Sequence, residues 1–287
     1  MIYTIEGNRL FTPYDIGGDS INSAFDIGGN RVFPSATGDP LTVMTYNVGK
    51  FSGINSQQAM QNLIISTYDA DVIGMQEIGN SSTIPTVGQN MLTDYQYKQI
   101  SNHKNYILTA TKELAISNVV IADFQNQDPE DMSRYNETRA YTKVEVEVNG
   151  KTIAFINTHL CYLTTSIKYL QMGELFDIAE QYDYVIITGD FNSYEMTEQA
   201  ADYINMYKPF VDAGYHLANN SPRAGFQNTY TSATSASSLS DLSTAPDSII
   251  VSSNIDIESV VFDTTKFSYL NGSAIDHIPV IAHLTIY

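Results

Sequence analysis

Asp190 and Asn192 stand two residues apart at the end of the apolar run Val185-Ile186-Ile187-Thr188-Gly189. A short buried-strand pattern that ends in an acid and an amide suits a site for metal and phosphate. The acid can orient or deprotonate water, and the amide can donate to a phosphate oxygen. Four other segments share the design: Val43-Met44-Thr45-Tyr46-Asn47, Val72-Ile73-Gly74-Met75-Gln76-Glu77, Ala154-Phe155-Ile156-Asn157-Thr158-His159 and Ser273-Ala274-Ile275-Asp276-His277. Any one of them alone reads as a turn, because Asp and Asn satisfy local backbone donors. Five together point to one shared rim, since strands of a sheet carry side chains from distant points of the chain to a common edge.

The elements that must position these residues begin at Leu41 and alternate between strand and helix patterns. Strands are expected at 41–46, 71–75, 106–109, 114–122, 140–148, 152–158, 184–188, 248–251, 258–262 and 279–286. Asn149-Gly150 predicts a two-residue hairpin. Helices are expected over 57–67, with Ala59, Leu63 and Ile64 on one side, and over 166–181, with Ile167, Leu170, Leu175 and Ile178 as the buried stripe. Residues 219–246 are rich in Asn, Ser, Thr and Ala and read as a long surface loop. Residues 1–40 form a separate N-terminal arm in which Tyr14-Asp15-Ile16-Gly17-Gly18-Asp19 recurs as Phe25-Asp26-Ile27-Gly28-Gly29-Asn30. The repeat reads as a hairpin pair, decorative or serving in tethering or oligomerisation.

Taken in order, the five segments resemble the endonuclease/exonuclease/phosphatase superfamily over residues 41–287. Gly189-Asp190-Phe191-Asn192 and Asp276-His277 are the most specific pieces, supported by Gln76-Glu77 and Thr158-His159. One departure is Ile275, where that family usually has Ser before the final Asp-His. The resemblance implies an α/β (α+β) fold, a four-layer sandwich of two stacked mixed β-sheets flanked by helices, with the site at the sheets' common edge. It also implies divalent-metal-dependent phosphodiester hydrolysis.

On this reading Glu77 is the first candidate for metal, because a hard ion such as Mg²⁺ prefers one or two carboxylates and keeps several waters. Mn²⁺ is the other candidate ion. Asn47 would position metal or phosphate, and Asp276 would either join the metal or brace its turn. Asp190 and His277 are rival acceptors of the water's proton, with Asp247 fixing the His277 tautomer. His159 would donate to a nonbridging oxygen and Glu113 would orient it, both as the resemblance implies. Arg139 is a candidate phosphate clamp, because guanidinium binds two oxygens at once, against the alternative of a surface ion pair. Cys161, the one cysteine, reads as a buried small hydrophobe and excludes an intramolecular disulfide.

Composition limits the substrate. The 287 residues are 43% hydrophobic, enough for a substantial core, and 32 acids against 14 bases give a net charge of −18. Such a chain lacks the basic footprint of tight nonspecific DNA binding. Divalent cations and local bases such as Arg134, Arg139, Lys143 and Lys168 would soften the repulsion. DNA is the favoured substrate, with inositol phosphates or phospholipid head groups as the alternative and a non-catalytic binding module as the third reading. No run is long and apolar enough to span a bilayer, and Met1-Ile2-Tyr3-Thr4-Ile5-Glu6 has neither the basic start nor the apolar stretch of a signal peptide. Compartment stays open.

Overall fold

The computed structural model describes residues 2–3, 9–10, 38–49, 60, 63–78, 94–99, 107–134, 138–220, 225–232, 236–269 and 276–287. Its contacts divide the chain into Met1–Asp39 with Tyr287, and Pro40–Ile286. In the first unit β1 (Ile2–Tyr3) pairs antiparallel with β2 (Arg9–Leu10). The Tyr14 and Phe25 repeat lies outside the described residues.

The second unit contains β3 (Asp39–Asn47), β4 (Val72–Gln76), β5 (Tyr95–Gln99), β6 (Leu108–Lys112), β7 (Ile116–Asp123), β8 (Ala140–Val148) and β9 (Lys151–His159). It continues with β10 (Val185–Asp190), β11 (His216–Leu217), β12 (Tyr230–Thr231), β13 (Asp247–Val251), β14 (Ile255–Phe262), β15 (Asp276–His277) and β16 (Val280–Ile286). One six-stranded sheet has the order β11-β13-β10-β9-β8-β7, the other β14-β16-β3-β4-β6-β5, and β12 pairs with β15. Both sheets are mixed: β9 and β10 run parallel in the first, β3 and β4 parallel in the second. The β8–β9 hairpin turns at Asn149 (φ 48°) and Gly150 (φ 81°), the two left-handed residues that the expected tight turn requires.

Strand alternation sorts the side chains into layers. Val43, Val72, Phe155, Ile186, Ile249 and Leu284, drawn from both sheets, meet in one core between them. The opposite face of the first sheet, including Val185 and Ile187, packs on Met172 and Leu175 of the Thr165–Ala179 helix and on Phe210. The opposite face of the second, including Met44, Tyr46 and Ile73, packs on Met60 and on Ile64 and Ile65 of the helix at 63–68. Helix, sheet, sheet and helix make the expected four-layer sandwich. Among the described residues no helix is long and apolar enough to cross a membrane.

Three expectations need correction. In the first helix Leu63 is 43% exposed while Met60, Ile64 and Ile65 are buried; Ala59 lies outside the described residues. In the Thr165–Ala179 helix Leu170 is 50% exposed and the buried stripe is Lys168, Gln171, Met172, Leu175 and Ala179. The two polar residues are tolerated because each has partners: Gln171 accepts from Cys161 N and donates to Asn126 O, and Lys168 donates to Asn192 O. Finally, 219–246 is not all loop, since β12 runs through it and Thr229 is fully buried.

Between the sheets, side chains two apart form three levels. Val43, Val72, Phe155 and Ile186 are apolar; Thr45, Gly74, Asn157 and Thr188 come next; Asn47, Gln76, His159 and Asp190 end the strands. The middle level joins the sheets directly. Gln76 Nε2 donates to Asn157 Oδ1 (2.7 Å), Thr188 Oγ1 to the same oxygen (3.2 Å), and Asn157 Nδ2 to the carbonyls of Met75 and Leu108 (3.0 Å each). Gly74 is required here, because a Cβ would lie 2.0 Å from Thr188 Oγ1 and 2.6 Å from Asn157 Oδ1. Gly74→Ala is therefore expected to cost about 3 kcal/mol through overpacking, read as a lower urea midpoint. Adding Thr188→Ala should recover part of the loss, and an unchanged midpoint in the single variant would refute this account of the sheet contact.

Candidate active site

The third level delivers the expected residues in register. Asn47 is opposite Gln76, and Asp190 is flanked by His159 on one neighbouring strand and Asp247 on the other. Asp190, 1% exposed, is the centre. Its Oδ2 accepts from Asn47 Nδ2 at 2.7 Å and lies 3.4 Å from His159 Nε2 and 3.5 Å from His277 Nε2. Its Oδ1 accepts from the backbone N–H of Asn192 at 2.9 Å. Burial raises the Asp190 pKa and the Asp247 charge adds to that, against the pull of His277, Asn47 and the Asn192 amide.

His277 arrives on β15, which pairs with β12 so that Tyr230 is opposite His277. Its Nδ1 is 2.8 Å from Asp247 Oδ2, which also accepts from Thr229 Oγ1 at 2.7 Å, and the Tyr230 ring centroid stands 4.8 Å from that of the imidazole. Burial alone would lower the pKa of His277; Asp247, Asp190 and Asp276 overcome it and push it up to about 10. The ring is thus a cation at neutral pH, donating from Nδ1 to Asp247 and presenting Nε2–H toward Asp190.

Glu77 and Asp276 occupy the mouth. Glu77 lies within 3.5 Å of Asn47 Nδ2, and the Asp276 carboxylate is 42% exposed and 4.0 Å from His277 Nε2. Both have left-handed backbones (φ 57° and 58°), as does Asn192 (φ 52°). For Glu this conformation costs about 1 kcal/mol or more and is tolerated where the surrounding structure over-determines it. Gly49 makes room for Asp276, since a Cβ there would lie 2.7 Å from Oδ2, and its N–H donates to Asn47 Oδ1.

Two arrangements could receive a metal. Asp190, Asp247 and His277 present ligand atoms within 4.8 Å of one another. In that trio, however, the facing atoms of His277 and Asp247 are already joined through a proton. Carboxylate oxygens such as those of Glu77 and Asp276 are the donor type that a hard, water-rich cation prefers.

Asn192 Nδ2 donates to Leu160 O at 2.9 Å, which uses one of its two amide protons. Arg139 precedes β8 at the same rim, 4% exposed, with its N–H held by Gln127 Oε1 and its carbonyl by Phe124 N and Gln127 Nε2. Its burial does not suit a surface ion pair. Glu113 is not brought to the site: it is exposed beyond Lys112, whose N–H bonds Asp71 O where β4 begins, the opposite end from Gln76. Cys161 is buried with its Sγ 3.3 Å from Asp128 Oδ2, as a structural thiol. Ile275 lies outside the described residues.

Three contributors carry no signal in the sequence, Thr229, Tyr230 and Lys266, while Lys168, expected as a local base, is buried beneath the site. Lys266 is 2% exposed with its ammonium 5.0 Å from the Tyr46 ring centroid. Burial lowers its pKa to about 8, against the pull of Asp276, Asp247, Glu77 and Asp263.

No protein-family model and no curated protein matches the sequence. Solved structures do match. An endonuclease/exonuclease/phosphatase from Bacteroides vulgatus aligns with TM-score 0.69 at 16% identity, over 86% of this chain and 99% of its own. The chain has the endonuclease/exonuclease/phosphatase fold. The mannosyl-6-phosphatase of Bacteroides thetaiotaomicron VPI-5482 shares that fold with TM-score 0.67 and 14% identity, over 86% of this chain and 100% of its own. TDP2 from D. rerio, solved with a single-strand DNA product, shares it with TM-score 0.65 and 14% identity, over 86% and 99%.

Within this fold the His277 charge has a consequence for stability. Its folded pKa of about 10 exceeds the unfolded value near 6.5, so the stabilisation is complete below about pH 6.5 and is lost as pH rises through about 10. In EDTA, the urea-midpoint gap between the natural chain and His277→Gln should therefore narrow from pH 6 to pH 10; a constant gap would show that His277 is not charged.

Proposed function

We propose that the chain is a divalent-metal-dependent phosphoester hydrolase, and within that class a nuclease-type phosphodiesterase. The observation that carries the reading is the single oxygen, Asp190 Oδ2, faced by Asn47, His159 and His277 within 3.5 Å at the rim of two sheets. Glu77 with Asp276 and Asn47 would hold Mg²⁺ or Mn²⁺, which when bound supplies charge neutralisation on phosphoryl oxygens.

The chain's own groups divide the remaining work. Asp190, raised by burial, is the better proton acceptor for an attacking water, because the neighbouring acids favour the protonated form of His277. Asn192 fixes the Asp190 carboxylate through its backbone N–H and keeps a second side-chain N–H for a phosphate oxygen. His277 stabilises negative charge developing on the phosphoryl group, and Asp247, itself held by Thr229, keeps the ring oriented. His159 and Arg139 contribute donors from the same rim.

A second reading, a phosphomonoesterase, draws support from the net charge of −18, which disfavours long polyanions, and from the shared fold of the mannosyl-6-phosphatase. Nicking of supercoiled plasmid DNA separates the two, run beside inositol phosphates, sphingomyelin and mannose 6-phosphate. With Mg²⁺ or Mn²⁺ we expect nicking that EDTA abolishes and that Asp190→Asn and His277→Gln each reduce by about 10²–10⁴-fold. Absence of nicking with variant-sensitive phosphate release from a monoester would replace the first reading by the second. Silence on every substrate would leave the binding module.

A further inference from the structure

The parallel strands β9 and β10 end side by side at His159 and Asp190, and each continues into an exposed tyrosine. Tyr162 is 55% exposed three residues past His159; Tyr194 is 53% exposed four residues past Asp190. The segments that carry them are tied together by Leu160 N to Asp190 O (3.0 Å) and Asn192 Nδ2 to Leu160 O (2.9 Å). Two large aromatic side chains left exposed where neighbouring strands end offer flat apolar faces beside the site.

Tyr194 is built rather than loose. Its backbone N–H donates to Asp202 Oδ2 at 2.6 Å, and the buried Lys168 ammonium stands 4.9 Å from its ring centroid while donating to Asn192 O at 2.8 Å. Asp202 in turn holds Lys168 at 3.2 Å and Tyr169 at 3.0 Å. A third tyrosine, Tyr230, lies against His277. Burial raises the Tyr230 phenol above its ordinary value, and Asp276, Tyr162, Asp190 and Glu77 add to that. The Tyr194 phenol is raised by burial and then by Tyr162.

We propose that Tyr162 and Tyr194, with Tyr230 beside the phosphate position, form a stacking rim for unpaired bases, so that the substrate is single-stranded or locally unpaired nucleic acid, including the melted stretches of a supercoiled plasmid, rather than relaxed duplex. This rests on reading the adjoining constellation as a phosphodiesterase site and names its substrate class. The charge balance favours the same conclusion. With 14 basic against 32 acidic residues the chain cannot draw its affinity from neutralising many phosphates, whereas aromatic stacking is indifferent to net charge and tolerant of sequence. Bases inside a duplex are already stacked and offer no free face.

The test is equilibrium binding, in EDTA, of a fluorescent single-stranded oligothymidylate and of an abasic oligonucleotide of equal length, followed by cleavage of the first in Mg²⁺. The natural chain should prefer the base-bearing strand by about tenfold or more, the scale of one base on one aromatic ring. Tyr162→Ala and Tyr194→Ala should each erode that preference, and Tyr162→Phe and Tyr194→Phe should retain it. Between 50 and 200 mM salt the affinity should fall by less than about tenfold, as expected for one or two phosphate contacts. Equal binding of the two strands, absence of binding to either, or loss of preference in the Phe variants would overturn the rim. Base-dependent binding without cleavage would instead leave the rim standing and remove the nuclease reading, and cleavage without base preference would do the reverse.

Discussion

The close approach of the two sheets at Gly74, Asn157 and Thr188 governs everything above it. Asn157 takes hydrogen bonds from Gln76 of one sheet and Thr188 of its own while giving two to carbonyls of the other, all without solvent. Buried polar groups are costly unless each is matched, so this layer admits one register between the sheets and penalises a slide in either direction. A slip of one residue would also turn every side chain on a strand to the wrong face. Asn47, His159, Asp190 and Asp247 sit two residues beyond that layer and inherit its precision.

The rim concentrates opposite charges in little water. Asp190 and Asp247 are buried acids on adjacent strands, and the imidazolium of His277 lies between them. Breaking that arrangement by deleting one member leaves another charge without compensation, which is why such clusters are held so tightly. Glu77 and Asp276 add negative charge at the mouth, countered within the described residues by the weakly basic Lys266. An excess of acid at a partly exposed mouth is an electrostatic setting that favours a divalent cation.

Much of this was legible in the sequence, because the strand period of two leaves a plain trace. Val185 to Asn192 reads as a buried strand ending in chemistry, Asn149-Gly150 as a hairpin, and His277 with Asp247 as a hydrogen-bonded pair, here 2.8 Å apart. What could not be read are residues whose role depends on a partner distant in sequence. Lys168 reads only as one of several local bases until Asn192 O and Asp202 are seen beside it; it is buried on the helix while Leu170 is exposed. Thr229 lies in a Ser- and Thr-rich stretch where nothing marks one hydroxyl for Asp247. Glu113 is suggested by likeness alone, and it is exposed at the other end of the sheet.

On the proposed reading the rim divides into a cation mouth and a proton-bearing pair. A crystal structure grown with Mn²⁺, phased to show anomalous scattering, tests that division directly. The predicted result is one peak against the Glu77 and Asp276 carboxylates, with the His277 to Asp247 hydrogen bond intact. A peak enclosed by Asp190, Asp247 and His277 with that bond broken, or no peak at the rim, would contradict it.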